Sequence, residues 1–284
     1  MVDCRQLEPF GVELHLDLSE ELSLEQQHEL QRVYANSDLV VVRDQQLSMD
    51  DQIRVMGYLG PVLKTDDSIG EISRESPIGL GGAELCFHAD YAYSPEPLLG
   101  LSLHALDVVD GQTSTRFASG RRAYGDLDPS FLGRLGDLET LQVFGAKLDH
   151  RNRLSELDPA LPSTAHPLVW HQKTSGAPYL FAPEMTTDSI VGMSDDESEE
   201  IIGQLFEVLY GADNVLEHRW KLGDIVIWNQ CSVMHARGDA SQIQHRVLQR
   251  VATGTKGYYE LYPELADFGW EDEELKQGSQ APGM

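Results

Sequence analysis

Hydrophobic residues recur at two different periods along this chain, and the two periods predict both helices and strands. Helical spacing is clearest in three segments, each preceded by a serine that can cap the first turn. The three serines are Ser23, Ser48 and Ser194. A further helix is predicted across residues 121–141.

Strands are predicted where apolar residues alternate with others or form a short continuous run. Leu99, Leu101, Leu103 and Ala105 occupy alternate positions and would share one face of a strand. Further strands are predicted at residues 39–42, 167–170, 179–181, 217–220, 224–228, 233–235 and 246–253. The combination predicts an α+β fold whose later strands form a double-stranded β-helix, or jelly-roll barrel, with flanking helices.

Two segments lack either period. Residues 62–86 are polar and rich in glycine, which is typical of a mobile loop, and a lid over a binding site is expected there. The end of the chain is strongly acidic, for example at residues 271–274. We therefore predict one domain over residues 1–262 and an acidic tail over residues 263–284.

The net charge and the cysteine content limit the binding partners and the cellular compartment that we expect for this protein. Lysine and arginine number 21 against 47 acidic residues, and the resulting net charge of −26 argues against binding to nucleic acid or to an anionic membrane. No apolar run has membrane length, and no secretory leader is recognisable. The three cysteines, Cys4, Cys86 and Cys231, are odd in number and widely spaced. These features predict a cytoplasmic protein with a small-molecule partner and leave homo-oligomer formation open.

A His-x-Asp motif supplies the first candidate chemistry. His88 and Asp90 are two positions apart, so on a strand or strand end both side chains leave the same face and can bind one ion. The chain contains a second His-x-Asp, at His15 and Asp17, inside an alternating run. Because the apolar residues of that run would form the core face, we expect His15 and Asp17 to face solvent.

Residues far downstream can complete a reaction site around His88 and Asp90. His235 would come from a different strand, and two imidazoles with one carboxylate can hold Fe(II) on one face and leave three positions open. Arg246 and Arg250 are four positions apart within a predicted strand, so both guanidinium groups would point the same way. Such cations could hold the far carboxylate of a dicarboxylic co-substrate.

Seven blocks of sequence contain or surround these residues: 87–93, 95–100, 111–119, 166–169, 220–229, 235–237 and 246–250. In this order they resemble the taurine dioxygenase family of Fe(II)/2-oxoglutarate-dependent oxygenases, and the resemblance runs from about residue 10 to about residue 255. One departure is Gln112-Thr113-Ser114-Thr115, where the family usually has Gly-Gly-Asp-Thr, so the assignment of Thr115 depends on its distance from Phe117.

The resemblance implies a role for each candidate residue. His88, Asp90 and His235 would ligate iron, and Arg246 and Thr115 would bind the C5 carboxylate of 2-oxoglutarate. Arg250 would lie near the metal, where it could meet the co-substrate or an acidic substrate. Tyr91 and Tyr93 follow the first ligands and could line a substrate cavity, although packing in an aromatic core explains them equally well.

The expected activity is that of a dioxygenase that uses Fe(II), 2-oxoglutarate and O2. It would hydroxylate an unactivated C–H bond of a small metabolite and release succinate and CO2. Two alternatives stay open at this point. A zinc-dependent hydrolase could use the same two histidines and aspartate, and a non-catalytic module could bind 2-oxoglutarate without turnover.

Overall fold

The structure, a computed structural model, describes residues 3–65, 68–173 and 175–263. It confirms a mixed α+β class. The helices are α1 (Leu24–Ser37), α2 (Met49–Gly57), α3 (Gly120–Asp126), α4 (Pro129–Leu135), α5 (Asp195–Leu209) and α6 (Tyr258–Leu261). The strands are β1 (Asp3–Gln6), β2 (Val12–His15), β3 (Leu39–Val42), β4 (Ile69–Ile72), β5 (Leu85–His88), β6 (Gly100–Val108), β7 (Ser114–Ser119), β8 (Glu139–Val143), β9 (Ser163–Pro167), β10 (Val169–His171), β11 (Pro178–Leu180), β12 (Thr187–Ile190), β13 (Val215–Arg219), β14 (Ile225–Asn229), β15 (Val233–Arg237) and β16 (Arg246–Thr253).

Two sheets enclose the central core. The larger sheet has seven strands in the order β1-β2-β3-β14-β6-β16-β4, and the smaller has four in the order β13-β7-β15-β5. Leu103 and Trp228 of the larger sheet belong to one buried cluster with Phe117 and Val233 of the smaller sheet. The two sheets are therefore packed face to face, with apolar side chains between them.

Helices cover the outer face of each sheet, as predicted. Leu30 of α1 and Val55 of α2 pack with Val42 and Ile227 of the seven-stranded sheet. On the other side, the apolar faces of α4 and α5 pack with Met234 of the four-stranded sheet. The apolar residues between the helices and the sheets hold all four layers together.

The serine caps occur where the sequence predicts them. Ser23, Ser48 and Ser194 each accept a hydrogen bond from the backbone at the third position of the helix that follows, and each forms a reciprocal capping box. Capping matters at these sites because the first backbone N–H groups of a helix have no partner within the helix.

Two predictions of local structure were wrong in part. The helix expected across residues 121–141 is replaced by α3, α4 and β8, because Leu127 is extended and Asp128 caps a new helix that begins at Pro129. The loop expected at residues 62–86 contains β4, which pairs with the edge of β16, and a 3-10 helix at Pro77–Gly82.

Some predictions fall outside the described residues. The acidic tail at residues 263–284 does so except for Pro263, and the division into one domain and a tail stays a prediction. Within the described part of the chain, no helix combines the length and the apolarity needed to span a membrane.

Candidate metal centre

The structure brings His88, Asp90 and His235 together. His88 ends β5 and lies directly opposite His235 of β15 in an antiparallel pair, so the two ring centroids are 4.0 Å apart. Asp90 follows in the turn after β5, with its Oδ1 atom 3.4 Å from Nε2 of His88 and 3.8 Å from Nε2 of His235. One ligand atom from each residue lies within 4.8 Å of the other two.

Both histidines are neutral and can offer a nitrogen lone pair. Nδ1 of His88 lies 2.9 Å from the carbonyl oxygen of Cys86. Because a carbonyl only accepts, Nδ1 must carry the hydrogen, and Nε2 is left with its lone pair toward Asp90. Burial lowers the pKa of His88, and burial together with the neighbouring His88 ring lowers the pKa of His235 to about 3.

Asp90 is held as a carboxylate by Arg250. Burial alone would raise the pKa of Asp90, but the charge of Arg250, the largest of the opposing effects, helps to lower the pKa to about 2. Nη2 of Arg250 donates to Oδ2 of Asp90 at 2.8 Å. Since Oδ1 is the oxygen nearer the histidines, Asp90 presents one oxygen to the site and the other to Arg250.

This donor set fits a divalent metal ion. Two neutral imidazole nitrogens and one carboxylate oxygen are the ligands found for Fe(II) in the facial triad, and Zn(II) accepts the same set. Thiolate ligation is not supported, because the group of potential ligand atoms that converge among the described residues includes neither Cys86 nor Cys231.

A second group of predicted residues lies on the inner face of the two sheets. Arg246 shares its face of β16 with Leu248, a member of the core between the sheets, and is 7% exposed. Burial and the charge of Arg237 lower the pKa of Arg246 to about 9. Among the described residues, its Nε atom has no hydrogen-bond partner. A buried cation with an unused donor fits an anionic ligand.

Thr115 is prepared to donate a hydrogen bond. Its Oγ1 atom accepts a hydrogen bond of 3.0 Å from Nε1 of Trp220, and the residue is 2% exposed. Because the indole N–H can only donate, the hydroxyl hydrogen of Thr115 remains free to point elsewhere. Thr115 can therefore donate a hydrogen bond to a carboxylate.

Sequence reasoning missed Arg237. This residue ends β15, two positions after His235, and only 6% of it is exposed. Its Nε and Nη2 atoms donate to the carbonyl oxygen of Ala83 at 3.1 and 2.6 Å. The even spacing from His235 was the available signal, because alternate residues of a strand share a face.

The two predicted substrate contacts lie in an aromatic cluster. Tyr93 is buried against Phe144, with ring centroids 5.0 Å apart. Tyr91 is half-buried, and its ring lies 6.4 Å from Tyr93 and 5.5 Å from Tyr258. Packing therefore accounts for Tyr93, and a substrate contact stays a prediction for both tyrosines.

The second His-x-Asp motif is not part of the site. His15 and Asp17 are both exposed, as the alternation of their segment predicts. Within residues 3–65, 68–173 and 175–263, the cluster of His88, Asp90 and His235 is the group of potential metal ligands that the structure brings together.

Comparison with known proteins relates this chain to dioxygenases. The family model described as taurine catabolism dioxygenase TauD, TfdA family, matches residues 3–252. The alpha-ketoglutarate-dependent 2,4-dichlorophenoxyacetate dioxygenase of Cupriavidus pinatubonensis is 27% identical over 272 residues, or 86% of this chain and 93% of that protein. Pentalenolactone F synthase of Streptomyces arenae is 27% identical over 194 residues. These residues are 62% of this chain and 64% of that relative, so the match covers slightly less than two thirds of the relative's length.

A solved structure has a similar fold. A crystal structure of a taurine dioxygenase from Burkholderia xenovorans superimposes with a TM-score of 0.74 at 20% identity, over 90% of each chain, and this likeness shows the fold alone.

Proposed function

Because the chain belongs to the TauD, TfdA family of dioxygenases, we infer that it is an Fe(II)- and 2-oxoglutarate-dependent dioxygenase that oxidises a small-molecule metabolite. The observation that carries this inference is the pairing of two features in one core. A cluster of two neutral histidines and one carboxylate lies between the sheets, and a buried arginine shares the inner face.

We assign the metal and co-substrate contacts as follows. His88, Asp90 and His235 would hold Fe(II), and Arg246 with Thr115 would hold the C5 carboxylate of 2-oxoglutarate. Bound Fe(II) and 2-oxoglutarate supply the activation of O2, with succinate and CO2 as the products of the co-substrate.

The protein's own residues prepare the site for that chemistry. Arg250 keeps Asp90 ionised and directs its Oδ2 away from the histidines. The carbonyl of Cys86 selects the His88 tautomer that leaves Nε2 available. Burial between two sheets excludes bulk water, which strengthens the attraction between Arg246 and an anion.

A zinc-dependent hydrolase would use the same three ligands but gives no role to Arg246. Activation of water on zinc uses the three ligands alone and does not account for a buried arginine with an unused Nε donor. A dicarboxylic co-substrate accounts for both the metal ligands and the cation.

The test is succinate formation by the purified protein. Fe(II), 2-oxoglutarate and O2 should together yield succinate, at a rate that rises with the correct substrate in a panel of acidic, neutral and amine-bearing metabolites. The variant H235A is the matched control, and it should show no turnover. Hydrolysis of a substrate by the Zn(II)-loaded protein in the absence of O2 would contradict the proposal. Binding of 2-oxoglutarate without formation of succinate, whichever substrate is added, would also contradict it.

The fold and the cellular compartment of the protein are also part of what we propose. We propose that the two packed sheets are the two halves of a jelly roll. The free cysteines and the net charge of −26 support a cytoplasmic protein with a small-molecule partner rather than a nucleic acid or membrane.

A further inference from the structure

We propose that Arg237 is a second guanidinium contact for the C5 carboxylate of 2-oxoglutarate, beside Arg246, and thereby helps to select a dicarboxylic co-substrate. This inference rests on the proposed function, because it deepens the assignment of the same site. Three steps support it: the register of the strands, the face on which the side chain lies, and the charge of the surrounding core.

The register of β15 and β7, extended by one residue, brings Arg237 next to Thr115. Strands β15 and β7 are antiparallel, with His235 opposite Phe117 and Ala236 opposite Arg116. One step further along the same pair, Arg237 comes opposite Thr115. Directly opposite residues on paired strands have neighbouring side chains when both point to the same face.

Both side chains point into the core between the sheets. Val233 of β15 and Phe117 of β7 belong to that core, and Arg237 and Thr115 are each an even number of positions away from them. Ala236 and Ala118, at the intervening positions, belong to the cluster on the outer face. Arg237 therefore lies on the same inner face as His235 and Thr115.

The core between the sheets carries several buried cations. Arg237, Arg246 and Arg250 are each 6% or 7% exposed. Arg250 is paired with Asp90, whereas Arg246 has an unused Nε donor among the described residues and experiences the positive charge of Arg237. Two guanidinium groups near each other in a desolvated core repel, and an anion between them removes that repulsion. A carboxylate can accept from both, because each of its oxygens has two lone pairs.

Arg237 also joins this subsite to the segment before the first ligand strand. Its donors to Ala83 fix the chain between the 3-10 helix at Pro77–Gly82 and β5, which ends at His88. At the same place Ala240, three residues beyond Arg237, donates its backbone N–H to the carbonyl of Gly82 at 2.8 Å. Arg237 is thus held in place before any ligand arrives, which lowers the entropy lost on binding.

The experiment compares two ligands that differ only at the far carboxylate. Mn(II)-loaded wild type, R237Q and R237K are titrated calorimetrically with 2-oxoglutarate and with 2-oxopentanoate, which has a methyl group in place of the C5 carboxylate. We expect R237Q to lower the affinity for 2-oxoglutarate at least tenfold and to leave the affinity for 2-oxopentanoate unchanged. R237K should recover part of the loss, because it restores the charge without the planar pair of donors.

The matched control is R116Q, on the neighbouring strand. The Arg116 guanidinium lies 5.3 Å from the centre of the Phe87 ring, and Phe87 belongs to the outer cluster, so R116Q should change neither affinity. The Mn(II) affinity and the thermal unfolding of each variant are measured in parallel.

The outcomes separate this inference from the proposed function. Equal weakening of both ligands in R237Q, or no change in either, would overturn the role of Arg237 while wild-type binding of 2-oxoglutarate still supports the proposed function. Failure of the Mn(II)-loaded wild type to bind 2-oxoglutarate would instead overturn the proposed function, and the role of Arg237 with it. If R237Q does not fold, a partial loss of 2-oxoglutarate selectivity in R237K supports the inference and unchanged selectivity overturns it.

Discussion

Arg250 reaches Asp90 from the opposite sheet, and this contact changes what each residue can do. β16 belongs to the seven-stranded sheet, whereas Asp90 follows β5 of the four-stranded sheet. The hydrogen bond of 2.8 Å orients the carboxylate and keeps it ionised despite burial. The residue predicted from sequence as a co-substrate or substrate contact therefore also positions a candidate metal ligand.

Replacing Arg250 should weaken metal binding. In R250Q the carboxylate of Asp90 loses its orienting donor and its main counter-charge, so its pKa rises and its preferred position is lost. Changes to groups that orient metal ligands typically cost about tenfold to a hundredfold in affinity, and we expect a loss of that size for Mn(II) at pH 7 by calorimetry. R246Q is the control, because Arg246 makes no hydrogen bond or ion pair with Asp90 among the described residues, and it should retain wild-type Mn(II) affinity. An R250Q variant that binds Mn(II) as tightly as the wild type would rule out this positioning role.

Helix α2 braces the strand that carries both inner arginines. Gln52 of α2 is fully buried and donates through Nε2 to the Ser102 hydroxyl at 2.8 Å and to the Gln249 carbonyl at 3.1 Å. Nε2 of Gln249 donates in return to Oε1 of Gln52 at 2.8 Å. Because Gln249 lies between Arg246 and Arg250 on β16, this network fixes the strand from its outer face.

Removing the Gln52 amide should destabilise the protein. Q52A leaves buried donors and acceptors of Ser102 and Gln249 without their partner, which costs about 1–3 kcal/mol per unsatisfied group. We expect the free energy of unfolding, measured in urea, to fall by at least about 1–3 kcal/mol, the cost of one such group. Q204A, on the exposed side of α5, should change it by less than about 0.5 kcal/mol. Equal stability of Q52A and Q204A would show that the network does not brace the strand.

A charged network joins β2 to the end of β3. Glu13 is 7% exposed and accepts from Arg5 at 2.9 Å and from Arg43 at 3.1 Å. Arg43 also donates to Asp224, just before β14. Burial alone would raise the pKa of Glu13, but the two arginines outweigh it and hold the pKa below its ordinary value of 4.5.

The contribution of Glu13 should depend on pH in one direction. Because the folded pKa is below the unfolded one, ionised Glu13 stabilises the fold above about pH 4.5, and this stabilisation is lost as pH falls through the folded pKa. E13Q should therefore be less stable than the wild type by about 1–2 kcal/mol at pH 7, and the difference should shrink below pH 4.5. Urea unfolding of both proteins across pH 3 to 8 measures this difference. A constant difference over that range would contradict the ionic origin of the stabilisation.

Across the whole molecule, the parts that could be predicted from sequence are those in which a local period determines the outcome. The spacing of two residues was enough to predict that His88 and Asp90 lie together, although Asp90 lies in the turn after β5 rather than on the strand. Strand alternation was enough to place Arg246 and Arg250 on one face. The pairing of β5 with β15, which brings His235 opposite His88, follows from no local signal, and the sequence predicted only that His235 comes from a different strand.

The features that the sequence did not predict depend on contacts between residues that are far apart along the chain. β4 is a four-residue edge strand whose partner, β16, lies far along the chain, so its polar and glycine-rich surroundings resembled a loop. The contact between Arg250 and Asp90 depends on how one sheet packs on the other, which no spacing within a strand reveals. Arg237, in contrast, could have been found from its even spacing to His235.

The central claim is that His88, Asp90 and His235 hold one metal ion between the two sheets, and equilibrium binding of Fe(II) under anaerobic conditions tests it most directly. The account predicts one Fe(II) per chain for the wild type and no binding at the same protein and metal concentrations for H88A, D90A or H235A, with H15A binding as the wild type does. If any one of the three variants binds one Fe(II) as tightly as the wild type does, the claim that these residues hold the metal ion is wrong.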